Sequence, residues 1–140
     1  MQVVIILFCL IGLVITVFFN GKRRKLVKRL RKAREPITYN DFYDMLEVPA
    51  FSQELSRILC GRLMRKLKMK NFFIYPDDNL YELVAFDREE YKDLINDVCL
   101  KLNVRYPRRH ELKGYEEEYS EILTPKDMIY FISHFNQLYN

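Results

Sequence analysis

The feature that most constrains this chain is an uncharged apolar run near its beginning, VVIILFCLIGLVITVFF, residues 3–19. As a helix, these 17 residues span roughly 26 Å, close to the hydrocarbon thickness of a bilayer, about 30 Å. A secretory signal peptide carries its positive charges before the apolar core, whereas only Met1 and Gln2 precede this one. The run therefore predicts an uncleaved transmembrane anchor over residues 1–21.

A dense basic segment follows the anchor. Residues 21–34, GKRRKLVKRLRKAR, hold nine Lys and Arg side chains. Cytoplasmic flanks of transmembrane helices collect such residues, so we expect a single-pass inner (cell) membrane protein of bacterial type, with its N-terminus outside and its C-terminal domain in the cytoplasm. Basic runs also bind nucleic-acid phosphate, but the adjacent anchor favours anionic lipid headgroups as the partner.

We expect residues 22–35 to form a juxtamembrane helix. Its apolar side chains, Leu26, Val27, Leu30 and Ala33, fall on one side, which suits a helix that lies on the headgroups. The side chains predicted to contact the membrane surface are Lys22, Arg23, Arg24, Lys25, Lys28, Arg29, Arg31 and Lys32.

The remainder of the chain offers no catalytic set. Residues 36–140 carry 14 Lys and Arg against 18 Asp and Glu, so this part is mildly acidic. Cys60 and Cys99 have no pairing or metal spacing and are predicted to be small apolar core residues. Neither His110 nor His134 has a nucleophile or acid at a motif spacing. The sequence therefore predicts a protein that is not an enzyme and that has no metal and no cofactor.

Several helices are predicted in the soluble part. A connecting segment rich in aromatic residues, 36–51, includes either a short helix capped by Asn40 or Asp41 or an extended strap. A stronger helix runs from Ser52 to about Met69. Residues 71–86 contain turn residues between two apolar runs, which permits either a hairpin or an ordered loop.

Two later helices carry clear start signals. Asp87 and Glu90 have the spacing of a capping box, which predicts a helix from Asp87 to about Leu102. The last helix opens with Thr124, Pro125 and Asp127 as cap, first position and box. The apolar seam of the Asp87 helix is predicted to comprise Tyr91, Leu94, Ile95, Val98 and Leu102, and the buried stripe of the last helix Met128, Phe131, Ile132, Phe135 and Leu138.

This order of elements resembles the acyl carrier protein family over roughly Ser52 to Tyr139. The spacing from Asp87 to the Tyr106-Pro107 pair is similar to that from the family's Asp-Ser-Leu motif to its Ile-Pro, and the loop Pro76 to Leu83 resembles the turn before that motif. The resemblance implies an all-α fold in which residues 52–140 form a small carrier-like helical bundle behind the transmembrane helix.

The chain departs from the family where carriers hold their cofactor. After Asp87, where carriers have the serine that accepts 4'-phosphopantetheine and then leucine, stand Arg88 and Glu89. A guanidinium cannot take up that group, so the resemblance implies a degenerate, non-catalytic module without a cofactor. The residues expected to bind an unidentified cytoplasmic or membrane protein are Asp87, Arg88, Glu89, Lys92 and Asn96.

Two alternatives stay open at the level of sequence. The chain could be a functional carrier in a lipid or acyl pathway, modified at one of its other serines, Ser52, Ser56, Ser120 or Ser133. It could also be a winged-helix-like α+β domain with residues 72–86 as its wing, which would make it a membrane-tethered nucleic-acid binder.

Overall fold

The fold is built from helices alone in the residues that the computed structural model describes, 2–46, 52–108 and 124–138. The all-α fold class predicted from the sequence is confirmed. The helices are α1 (Gln2–Ala33), α2 (Tyr39–Asp44), α3 (Ser52–Lys66), α4 (Leu80–Val84), α5 (Arg88–Leu102) and α6 (Pro125–Leu138).

The anchor and the basic segment form one uninterrupted helix. α1 has 32 residues, and the apolar part of it has no other part of the chain packed over it. Val3, Phe8 and Phe18, for example, are each at least 70 % exposed. A helix this long, apolar and uncovered can cross a membrane, which indicates a single-pass membrane protein.

The basic segment, residues 22–34, which we call the stem, does not turn to lie along a membrane surface as the sequence suggested. Its apolar side faces the rest of the protein: Leu30 is buried and Val27 is packed against the core. The helix continues through residue 21 without a proline to interrupt it, and it ends just before Glu35-Pro36. The expectation of a surface-lying helix is therefore wrong.

The predicted helix starts of α5 and α6 are confirmed. In α5, Asp87 accepts a hydrogen bond from the backbone of Glu90, and the Glu90 carboxylate accepts one from the backbone of Asp87. At the start of α6, Thr124 and Asp127 exchange the corresponding two hydrogen bonds, each 3.1 Å long. Such reciprocal bonds satisfy backbone donors that a helix otherwise leaves free.

The segment 71–86 is an ordered loop that ends in the short helix α4, and it contains no strand. Asn79 caps α4 by accepting from the backbone of Glu82 at 3.2 Å. The wing that a winged-helix fold requires is therefore absent from this segment. The segment also contributes Phe73, Ile74 and Leu80 to the core.

The short helix α2 is capped by Thr38 rather than by Asn40 or Asp41. Asp41 instead completes the capping box from the third helical position. Its aromatic Phe42 is fully buried and meets Phe72 edge to face at 5.6 Å between ring centres. This contact ties the connecting segment to the loop after α3.

One hydrophobic core joins these elements. α3 packs against α2, α5 and α6, while α1 packs against α4. Leu30, Phe42 and Leu46, which precede residue 52, belong to the same core as the later helices. The packed unit therefore begins within the stem, ahead of the boundary at residue 52 expected from the sequence. Part of the connecting segment, residues 47–51, lies outside the described residues, as do residues 109–123.

Candidate functional site

The start of α5 is held against the stem by one arginine. The Arg23 guanidinium donates to both carboxylate oxygens of Glu90, at 2.7 and 2.6 Å. It also donates to the carbonyl oxygens of Val84 and Ala85, at 3.2 and 3.0 Å. These carbonyls close the C-terminal end of α4, where a cation is electrostatically favoured. A bidentate arginine of this kind fixes both distance and orientation.

Arg23 also makes a cation–π contact with Phe86. The guanidinium carbon lies 5.8 Å from the centre of the Phe86 ring, which is fully buried and meets Tyr91 edge to face at 5.1 Å. Glu90 therefore serves two purposes, since it closes the capping box of α5 and pairs with the stem. The sequence indicated only the first, because Arg23 lies 67 residues away in the chain.

A second arginine fixes the other end of the stem. Arg34 pairs with Asp78 at 2.5 Å, donates to the carbonyl of Phe73 at 3.4 Å, and lies 4.8 Å from the centre of the Tyr75 ring. Arg23 and Arg34 are roughly 16 Å apart along the helix. Two such attachments hold the helical core in one orientation relative to the anchor.

This orientation brings the start of α5 close to the apolar run of α1. A cleft of about 630 Å³ separates it from the last turns of the apolar run. Ile15 and Phe19 of α1 line one side, and Tyr81, Asp87 and Glu90 line the other. Asp87 and Glu90, at the start of α5, therefore lie beside the segment where α1 leaves the apolar run.

The five residues predicted to bind a partner are all exposed, and all belong to α5 or its cap. Glu89 and Lys92 form an exposed ion pair at 3.0 Å, which contributes little to stability. Arg88, Lys92 and Asn96 are spaced by four residues, so they lie on neighbouring turns of the helix.

The structure adds Leu100 to this row. Its side chain is 70 % exposed, although it lies in the same helix as the buried seam. Sequence reasoning missed it, and the available signal was that Leu100 falls outside the predicted seam while continuing the spacing of Arg88, Lys92 and Asn96. We call these four residues, Arg88, Lys92, Asn96 and Leu100, the α5 row.

A shallow groove of about 360 Å³ between α3 and α5 borders the row. Arg62 of α3 pairs with Asp97 of α5 at 3.2 Å along this groove, and Arg65 and Asp93 line it as well. The surface around the row is thus a mixture of both charges with one apolar side chain, Leu100, at its end. Such a composition suits contact with another protein better than contact with a polyanion.

Cys60 and Cys99 are both buried. Burial raises the pKa of the Cys99 thiol to about 11 and raises that of Cys60 further. Both therefore remain protonated near neutral pH and are poor nucleophiles, in keeping with core packing. Within the described residues, no cluster of His, Cys, Asp and Glu could hold a metal ion.

Two of the candidate serines, Ser56 and Ser133, offer little access for modification. Ser56 is 1 % exposed, and the Ser133 hydroxyl is buried without a hydrogen-bond partner. Ser120 lies outside the described residues, as does His110. His134 is partly buried with its ring centre 5.9 Å from that of Phe135, which places it among core aromatics.

Comparison of the chain with protein-family models, with curated proteins and with solved structures finds no match. The resemblance to acyl carrier proteins stays a prediction that depends on the order and spacing of the sequence motifs.

Proposed function

We propose that this chain is a membrane-anchored, non-catalytic, acyl-carrier-like module that binds a protein partner through the α5 row. The observation that carries the proposal is the combination of two features on one helix. The row is exposed, and the first turn of the same helix is attached to the stem by Arg23. A helix presented in this way holds a fixed height and direction relative to the bilayer.

The chemistry of the row supports a protein as the partner. Arg88 and Lys92 provide cations, Asn96 both donates and accepts hydrogen bonds, and Leu100 provides an apolar anchor. A partner that covers Leu100, which is 70 % exposed, would remove its apolar surface from water. The nearby carboxylates of Glu89 and Asp93 disfavour nucleic acid at this face.

The proposal also specifies where the protein lies in the membrane and which stem residues face lipid. The excess of Lys and Arg after the apolar run supports a cytoplasmic location for the helical core at the inner membrane, with the N-terminus outside. Of the eight stem residues expected to contact anionic headgroups, Arg23 is engaged with Glu90, and the other seven are exposed. These seven remain available to lipid.

A photo-crosslinking experiment in native membranes tests the α5 row. A photoreactive amino acid at Asn96 of the full chain should yield a discrete crosslinked protein, because Asn96 lies in the middle of the row. The yield should fall by roughly tenfold when Arg88→Glu and Lys92→Glu are added, since reversed charges at an interface slow association. The matched control is the same pair of charge reversals at Arg57 and Lys101, both exposed and outside the row.

The outcome that would contradict the row is equally specific. A crosslinked product that survives Arg88→Glu and Lys92→Glu but disappears with the control pair would move the contact to another face. If a photoreactive residue at Asn96 gave no product while one at Arg57 gave a product, the contact would also have to lie on another face.

The intact mass of the protein tests the non-catalytic part of the proposal. We expect the intact mass of protein purified from its native membrane to include no phosphopantetheine adduct. The reason is that Arg88 has no hydroxyl and that Ser56 and the Ser133 hydroxyl are buried. An adduct at any serine would favour the alternative of a functional acyl carrier.

A further inference from the structure

A second surface of the molecule, distinct from the α5 row, is a basic groove. It lies between the stem and the chain that leaves α3, and its volume is about 550 Å³. The basic side chains that line it, besides Arg23, are Arg24, Lys28, Arg31, Lys66, Lys68 and Lys70. No acidic residue lines the groove among the described residues.

None of these six cations forms an ion pair within the residues that the structure describes. Every ion pair found in the described part of the chain involves other residues. Lys66 lies 5.5 Å above the Phe86 ring, which orients its ammonium without neutralising it. Like charges concentrated in one groove repel one another, and an anion that enters the groove relieves this repulsion.

The floor of the groove is apolar. Leu67, Met69 and Phe73 belong to the buried core beneath it, and Val27 of the stem is packed against that core. A floor of this kind does not favour a freely hydrated ion. It suits a ligand that carries phosphate groups next to a hydrocarbon part.

The position of the groove identifies the source of such a ligand. The groove begins at Asn20, directly after the apolar run, and continues to Arg31. Arg24 lies roughly 7 Å beyond Phe19 along the helix, within the headgroup layer, which is roughly 5 to 8 Å thick. Lys28 and Arg31 lie farther out, beyond the depth of a simple phosphodiester.

We propose that this groove binds the headgroup of a phospholipid with more than one phosphate, drawn from the bilayer in which α1 is anchored. The inner cations would meet the phosphodiester, and the outer cations would meet the additional phosphate. The proposal depends on the membrane anchoring of α1 but not on the protein contact of the α5 row.

The end of α3 provides an informative variant. Lys68 has a backbone φ of 54°, in the left-handed region that favours glycine, and Met69 donates to the carbonyl of Met64 at 2.9 Å across this turn. Lysine is strained in this conformation, so it contributes to the groove at some cost in stability. Lys68→Gly removes the charge while relieving the strain.

The test uses the full chain in nanodiscs of phosphatidylcholine that contain a small fraction of phosphatidylinositol bisphosphate. Lipid retained by the protein is measured by native mass spectrometry. We expect replacement of Lys28, Lys68 and Lys70 by glutamine to lower retention at least about tenfold. The control replaces Lys22, Lys25 and Lys32, which are exposed stem lysines that do not line the groove, and should leave retention within about twofold.

Lys68→Gly alone should lower retention by roughly threefold or more without lowering the thermal midpoint of unfolding. Equal losses in the two triple variants would overturn the proposal, because they would show a diffuse effect of stem charge. Tight binding of soluble inositol trisphosphate or of a short RNA, equal to that of the lipid, would overturn it as well. Crosslinking from Asn96 should be unchanged in the groove variants, which separates a failure here from a failure of the α5 row.

Discussion

Replacing Leu94 by alanine is expected to lower the free energy of unfolding by about 2 to 5 kcal/mol. Leu94 is 2 % exposed and lies in the seam of α5 that packs against α3. Truncation removes contacts with the surrounding side chains and leaves a cavity that a packed core fills only in part. A loss of this size is a large share of the stability of a small domain, about 5 to 15 kcal/mol.

Arg88→Ala is the matched control for this experiment. Arg88 is exposed in the first turn of the same helix, so its truncation should change stability by no more than about 0.5 kcal/mol. Denaturant unfolding of the detergent-solubilised full chain, followed by the near-ultraviolet circular dichroism of its tyrosines, measures both variants. Similar losses for Leu94→Ala and Arg88→Ala would show that the helix faces the core with a different side.

Replacing Arg23 by alanine is expected to cost about 1 to 3 kcal/mol, a large effect for a residue at the surface. The substitution removes four hydrogen bonds and leaves the Glu90 carboxylate, whose side chain is only 18 % exposed, without its cation. It also removes the cation above Phe86. The partial exposure of the pair sets the upper limit, because solvent screens the charges.

A double-mutant cycle that combines Arg23→Ala with Glu90→Gln separates the energy of the ion pair from that of the other Arg23 contacts. Glutamine retains an oxygen for the capping box but loses the charge, so the coupling between the two substitutions measures the pair. Arg24→Ala is the control, since Arg24 is exposed and has no carboxylate partner among the described residues. A coupling near zero, or a loss in Arg24→Ala as large as in Arg23→Ala, would contradict the attachment of α5 to the stem.

Arg23→Ala should also loosen the orientation of the helical core. Distances between spin labels, one near the end of the apolar run and one at Asn96, should become broader when the attachment is lost. Unchanged distances would show that Arg34 and the packing of Leu30, rather than Arg23, hold the helical core in its orientation.

The local features of this fold could be predicted from the sequence because neighbouring residues determine them. The capping box of Asp87 and Glu90 involves residues three apart, and so does that of Thr124 and Asp127. The seam of α5 follows from the period of a helix, and the apolar run of α1 follows from composition. The exposure of the five predicted contact residues follows from the same helical phase, whereas Leu100 was missed because an exposed leucine breaks the usual pattern.

Tertiary structure alone decided where the stem lies. Arg23 and Glu90 are 67 residues apart in the chain, and Arg34 and Asp78 are 44 apart. A basic segment contains nothing that distinguishes lipid headgroups from a carboxylate on a distant helix, because either anion satisfies a guanidinium. Burial of Leu30 places the stem against the core. As a result, Lys68 and Lys70 line the same groove as Lys28. The basic groove therefore exists only in the folded protein.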